Sequence, residues 1–208
     1  MSDHPILFLP GPTEVDAELR AIMAQPLVGH RSAGFVEIVQ QVCQQLKAAY
    51  RTNQHAVFEN APATALMEAA FRNLVTPTGR TLHLVCGAFS ERWSKIAADC
   101  GRRPDTLTVP WGEAHTASLL QQHLAAHGPY EAICITHNET STGVLEPLPA
   151  LAAAARSHDP AMLILADVVT SLVGAPLEFD AWGLDLAFAG TQKCLALPPG
   201  LVTYAISN

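Results

Sequence analysis

At 208 residues, 49% hydrophobic and 15% charged, the chain is long enough for one large domain with a sizeable core, and its composition excludes a disordered chain or a fibre. A formal net charge of −7 argues against nucleic acid as a partner, because phosphate backbones attract basic patches. The five cysteines (43, 86, 100, 134 and 194) form no C-x-x-C pair, no basic-then-apolar leader follows Met1, and no apolar run is long enough to span a membrane, so a cytoplasmic protein with buried thiols is expected.

In chain order, a short helix is predicted over 15–24, after the Pro10-Gly11-Pro12 turn. Phe35, Ile38, Val39, Val42, Leu46 and Ala49 then recur at helical spacing and mark an amphipathic helix. Strand-like runs follow near 55–58, 81–86, 105–109, 130–136, 162–166, 186–189 and 201–206. Helical stretches near 64–75, 89–100, 116–127 and 147–157 fall between the earlier strands. Several strands are continuous apolar runs, such as Ala132-Ile133-Cys134-Ile135, as strands covered on both faces are. The alternation predicts a single α/β domain with a mainly parallel central sheet flanked by helices.

Open α/β sheets bind ligands beyond the carboxyl ends of their strands. That rule selects the segments 60–65, 86–90, 136–143, Asp167 and 190–193, five loops expected to meet at one crevice. Two residues there suggest specific chemistry. Lys193 follows the run Leu186-Ala187-Phe188-Ala189, and Asp167 closes the run Met162-Leu163-Ile164-Leu165-Ala166. An amine and a carboxylate at two strand ends suit pyridoxal phosphate, whose aldehyde forms a Schiff base with lysine and whose ring nitrogen needs an acid partner. The other two lysines, Lys47 and Lys95, lie in helical patterns where a solvated role is expected.

Pro62, Ala63 and Thr64 open a helix, where small residues let backbone N–H groups approach a phosphate; an ordinary helix start explains them as well. Phe89 can lie against a flat cofactor or serve as a core aromatic. The polar run His137-Asn138-Glu139-Thr140-Ser141-Thr142-Gly143 is either a site or a plain loop. His123 and His127 have i, i+4 spacing, but Leu124 stands where a metalloprotease needs glutamate, so no metal is expected. No G-x-G-x-x-G, G-x-x-x-x-G-K-[ST] or G-x-S-x-G occurs, and Cys194 beside Lys193 is expected to be a packed thiol.

Taken together, Leu9-Pro10-Gly11-Pro12-Thr13, Gly29-His30-Arg31-Ser32, Ala63-Thr64-Ala65-Leu66-Met67-Glu68-Ala69-Ala70, the 137–144 run, Ala166-Asp167-Val168-Val169-Thr170-Ser171, Gly190-Thr191-Gln192-Lys193 and Pro198-Pro199-Gly200 give a strong likeness. The chain resembles the class V aminotransferases of the fold-type I pyridoxal phosphate group, especially the alanine–glyoxylate and serine–pyruvate enzymes. The resemblance implies Lys193 as the Schiff-base lysine, Gln192 as a phosphate contact and Asp167 as the ring-nitrogen partner. It further implies Val169 flanking the ring, Phe89 stacked on it, Ser141 giving a hydroxyl contact, and Pro62, Ala63 and Thr64 in the phosphate loop. Pro62 departs from the family's Gly- and Ser-rich loop and lacks one donor.

The implied reaction is a ping-pong transamination of alanine or serine with glyoxylate or pyruvate. The implied organisation is a large cofactor-binding domain over 1–208, including an N-terminal segment 1–15, without the family's C-terminal small domain and its substrate-binding arginine. A homodimer is implied for the complete protein. The alternatives are a truncated, catalytically weak cofactor-binding domain, or another class V enzyme such as a lyase or desulfurase.

Overall fold

The structure is a computed structural model and describes residues 6–208. Six helices, α1 (Ala17–Met23), α2 (Ala33–Tyr50), α3 (Ala63–Leu74), α4 (Ala88–Asp99), α5 (Ala117–His127) and α6 (Leu148–His158), alternate with the strands. A seven-stranded sheet is built from β1 (His55–Glu59), β2 (Arg80–Val85), β3 (Arg103–Thr108), β4 (Ala132–Thr136), β7 (Leu163–Asp167), β8 (Leu186–Gly190) and β9 (Val202–Ile206). Its order is β1-β9-β8-β7-β4-β2-β3, and only β9 runs against its neighbours. Two-residue strands β5 (Asn138–Glu139) and β6 (Val144–Leu145) pair as a small antiparallel hairpin. Pieces this short leave no alternation in a sequence, and the hairpin was not anticipated from it.

Strand periodicity sorts the interior into two layers. Ile133 and Ile135 of β4, Ile164 and Ala166 of β7, and Ala187 and Ala189 of β8 face a core completed by Leu120, Leu124, Leu148 and Leu151 of α5 and α6. Ala132, Cys134, Leu165 and Phe188 face the other way, against Leu66, Met67 and Phe71 of α3 and Trp93 of α4. Trp93 meets Phe188 edge-on, with ring centroids 5.3 Å apart. This second layer matters for function, because α3 and α4 both begin at the carboxyl end of the sheet.

Side-chain caps fix where helices start. Asp16 accepts from Glu18 N at 2.8 Å, Ser32 from Phe35 N at 3.2 Å and Thr116 from Leu119 N at 3.2 Å. The first of these begins α1 two residues later than the hydrophobic pattern predicts. Not every thiol is buried. Cys86 and Cys134 are, Cys43 and Cys100 are half-buried, and Cys194 is exposed. Cys194 lies in the turn beyond β8, where its Sγ faces the Thr170 carbonyl at 3.5 Å and little packs over it. Among the described residues no helix is long and apolar enough to cross a membrane.

Candidate active site

Asp167 is the last residue of β7 and pairs in register with Phe188 on the parallel neighbour β8. Alternation places it on the face of Leu165, beneath α3 and α4. It is 4% exposed, and its Oδ1 accepts the Val169 N–H at 2.9 Å. Burial pushes its carboxyl up to about 7, and the nearby Glu139 adds to the rise; the Val169 N–H and Lys193 pull the other way without cancelling it.

β8 ends at Gly190, and the turn beyond it is tied down by Thr191 Oγ1, which donates to the Pro198 carbonyl at 2.7 Å. Lys193 projects from this turn, and its Nζ donates to the Pro10 carbonyl at 3.1 Å. The N-terminal segment is held there by two further bonds. Thr13 N donates to Gln192 O at 3.0 Å, and Thr13 Oγ1 to Lys193 O at 3.2 Å. Gly11 is required at this approach: its φ is +142°, and an added Cβ would lie 2.5 Å from Lys193 Nζ.

Both residues open on a cleft of about 210 Å³ to which all five predicted loops contribute. Pro62, Ala63, Thr64, Phe89, Asp167, Val169, Gln192 and Lys193 line it. Ser141 does not. Its neighbour Thr140 lines the cleft instead, with Oγ1 donating to Thr170 Oγ1 at 3.0 Å. Met67, Arg92, Asn138 and Thr170 also line it; Asn138 belongs to the polar run read as either a site or a plain loop, and the sequence assigns the other three no site role. A signal for Met67 and Arg92 did exist, since each sits three positions after a predicted residue, Thr64 and Phe89, on the same helix face.

Ser141 and Glu139 have a different task. The N-cap of α4 is Gly87, which has no side chain to offer. The missing cap comes from the loop after β4: Glu139 accepts Phe89 N at 3.2 Å and Ser90 N at 2.9 Å, while Ser141 Oγ accepts Ala88 N at 3.0 Å. Burial favours the neutral acid at Glu139, but bonds from Ser141, Ser90 and Phe89 outweigh it and hold the carboxyl below its ordinary value. A Cβ on Gly87 would collide with Glu139 Cγ, so the close approach needs glycine.

The start of α3 contrasts with this. Its N-cap is Pro62, which makes no side-chain cap bond. The first-turn N–H groups of Ala63 and Thr64 have no acceptor among the described residues. They reach the cleft beside the Arg92 guanidinium, whose Nη2 donates to Thr64 Oγ1 at 3.2 Å.

Away from the cleft, the rings of His123 and His127 stack with centroids 4.4 Å apart, and His123 Nε2 meets the Tyr130 hydroxyl at 3.1 Å. A buried group that sequence spacing did not reveal joins Cys86, His115 and Glu146, with ligand-type atoms within 4.8 Å of one another. His115 Nδ1 lies 2.7 Å from Glu146 Oε1 and its Nε2 lies 2.8 Å from the Leu107 carbonyl, so both ring nitrogens already have partners.

The family model described as Aminotransferase class-V matches residues 15–207. The soluble hydrogenase 42 kDa subunit of Anabaena cylindrica is 36% identical over 210 residues, covering 100% of this chain and 54% of that protein. The L-aspartate–glyoxylate aminotransferase of Paracoccus denitrificans is 32% identical over 209 residues, covering 99% and 52% respectively. The crystal structure of alanine–glyoxylate aminotransferase from Nostoc sp. superposes with a TM-score of 0.90 at 31% identity, over 100% of this chain and 56% of that one. The chain thus spans about half the length of the curated relatives it matches. Matched along nearly its whole length, with an amine and a buried carboxylate at neighbouring strand ends, the chain belongs to the class V aminotransferases, a family of pyridoxal phosphate enzymes.

Proposed function

We propose that this chain holds pyridoxal phosphate in the cleft at the ends of β7 and β8. The protein would use it to transaminate a small amino acid, alanine or serine, with a 2-oxo acid, glyoxylate or pyruvate. One observation carries the reading: Lys193 and the buried Asp167 open on one cleft walled by Phe89 and Val169.

The residues fit the group. A flat ring suits the walls that Phe89 and Val169 provide. Asp167, strained toward neutrality by burial, gains from a ring nitrogen that bears a proton. The uncapped start of α3, with Thr64 and the neighbouring Gln192, suits a phosphate. When bound, pyridoxal phosphate supplies an aldehyde that captures amines and a ring that draws electrons from the donor's Cα.

The side chains do the rest. The Lys193 amine would hold the cofactor, and its free Nζ would be the base that takes the proton from the donor's Cα. Asp167 would hold a proton at the ring nitrogen. Of the two adjacent hydroxyls, Ser141 bonds Glu139 and Ala88, while Thr140 bonds Thr170 and lines the cleft, where its oxygen would be the one to meet the cofactor.

Glyoxylate as acceptor is supported by the names of two similar proteins, the Paracoccus and Nostoc aminotransferases. Residues 1–208 are read as the family's cofactor-binding large domain. A homodimer of the complete protein is supported by apolar side chains left open near the N-terminus, among them Ile6, Phe8 and Leu27. The five unpaired cysteines support a reducing, cytoplasmic setting.

The test is direct. Pyridoxal phosphate added to the purified chain should give a visible absorbance band that Lys193→Ala abolishes; a band unchanged in that variant overturns the site. Formation of pyruvate from alanine and glyoxylate then tests the reaction.

A further inference from the structure

Two helices begin at the cleft, and their N-termini are treated differently. α4 receives an internal anion, the Glu139 carboxylate. α3 receives none, and the Ala63 and Thr64 N–H groups have no acceptor among the described residues. Arg92, one helical turn into α4, reaches across to that uncapped end and donates to Thr64 Oγ1 at 3.2 Å. Arg92 is the arginine among the residues that line the cleft. No carboxylate pairs with Arg92 among the described residues, although it lines the cleft. A guanidinium beside the N–H groups that open a helix, in one cleft, is a donor set that suits a compact, multiply charged oxyanion.

We propose that Arg92 is a binding residue for the phosphate of the cofactor, acting with Thr64 Oγ1 and the first turn of α3. The inference rests on the cofactor reading above and adds a residue that the family resemblance did not supply. The carboxylate of the amino acid is the rival anion. It has to lie on the Cα that the Lys193 amine serves, whereas the Thr64 bond ties Arg92 to the start of α3. The Thr64 hydroxyl, accepting from Arg92, keeps its own hydrogen to donate to a phosphate oxygen.

Titration with pyridoxal phosphate and with pyridoxal, which lacks the phosphate, tests this on the chain and on R92M and R92K. R92M should weaken pyridoxal phosphate binding roughly ten- to hundredfold, as expected on losing a hydrogen bond to a charged group. Its pyridoxal affinity should stay within about twofold of the parent chain, since no phosphate is involved. R92K should recover part of the loss, because an ammonium restores the charge without the planar fork.

Equal weakening of both ligands would overturn the proposal in favour of a packing role. Unchanged pyridoxal phosphate affinity would overturn it too, and a raised donor KM in that case would assign Arg92 to the amino acid's carboxylate. Failure of the underlying cofactor reading looks different, because the parent chain itself would then give no band dependent on Lys193.

Discussion

The Ser141 hydroxyl donates to Glu139 Oε1 at 2.6 Å while accepting the N–H of Ala88 at 3.0 Å, so two residues of one loop cap a helix whose first residue lies 53 positions before Ser141. Glu139→Gln removes the charge from a fully buried acceptor and should destabilise the chain by about 1.5–3 kcal/mol at pH 7 in urea denaturation. The pH dependence has a definite sign. The folded carboxyl sits below its ordinary value of 4.5, so its contribution is present above that value and is lost as pH falls through the folded one. The stability difference between the two proteins should therefore shrink below about pH 4. A difference independent of pH would mean that the charge is not what stabilises the helix start.

Asp167 carries the opposite sign. Burial raises its carboxyl from 3.8 to about 7, so the folded state favours the protonated acid. That contribution is complete below 3.8 and is lost as pH rises to about 7, above which the buried charge costs on the order of 4 kcal/mol. In cofactor-free protein, Asp167→Asn should raise Tm relative to the parent at pH 8, with the two converging toward pH 5. The same variant should bind pyridoxal phosphate more weakly, because the ring nitrogen loses its anionic partner. Equal destabilisation at both pH values would show that Asn disturbs packing and that the charge plays no part.

How far the sequence reveals the site depends on what determines each residue. Lys193 and Asp167 were legible as candidates because Asp167 closes one apolar run, Lys193 lies in the turn after another, and the ends of parallel strands are where such sheets bind ligands. Choosing between Thr140 and Ser141 was not, because a turn of the loop decides which of two adjacent hydroxyls faces the cleft. Glu139 looked like one more polar loop residue, since its partners at Phe89 and Ser90 are some 50 positions away. Arg92 is an exposed residue of α4, where a solvated arginine is the ordinary expectation. The main-chain partner of Lys193, Pro10, belongs to a segment that only tertiary structure brings across the sheet. Strand order was illegible for the same reason: β9, last in sequence, inserts between β1 and β8.

That N-terminal segment supplies the last prediction. Gly11 lies against Lys193 in a conformation with φ +142°, and an added Cβ would stand 2.5 Å from Nζ and 2.8 Å from Cδ. Gly11→Ala must therefore move either the lysine side chain or the segment pinned by Thr13, and a strained backbone of this kind costs about 1–3 kcal/mol. Because residues 6–10 are exposed and α1 buries nothing, little of that disturbance should reach the core. The expected result is pyridoxal phosphate affinity lowered roughly fivefold or more, with Tm within about 2 °C of the parent chain. Gly29→Ala is the control, since nothing lies within 4 Å of its added Cβ, and it should leave both measurements unchanged. If Gly11→Ala binds as tightly as the parent, the segment yields without cost, and its contact with Lys193 does not shape the site.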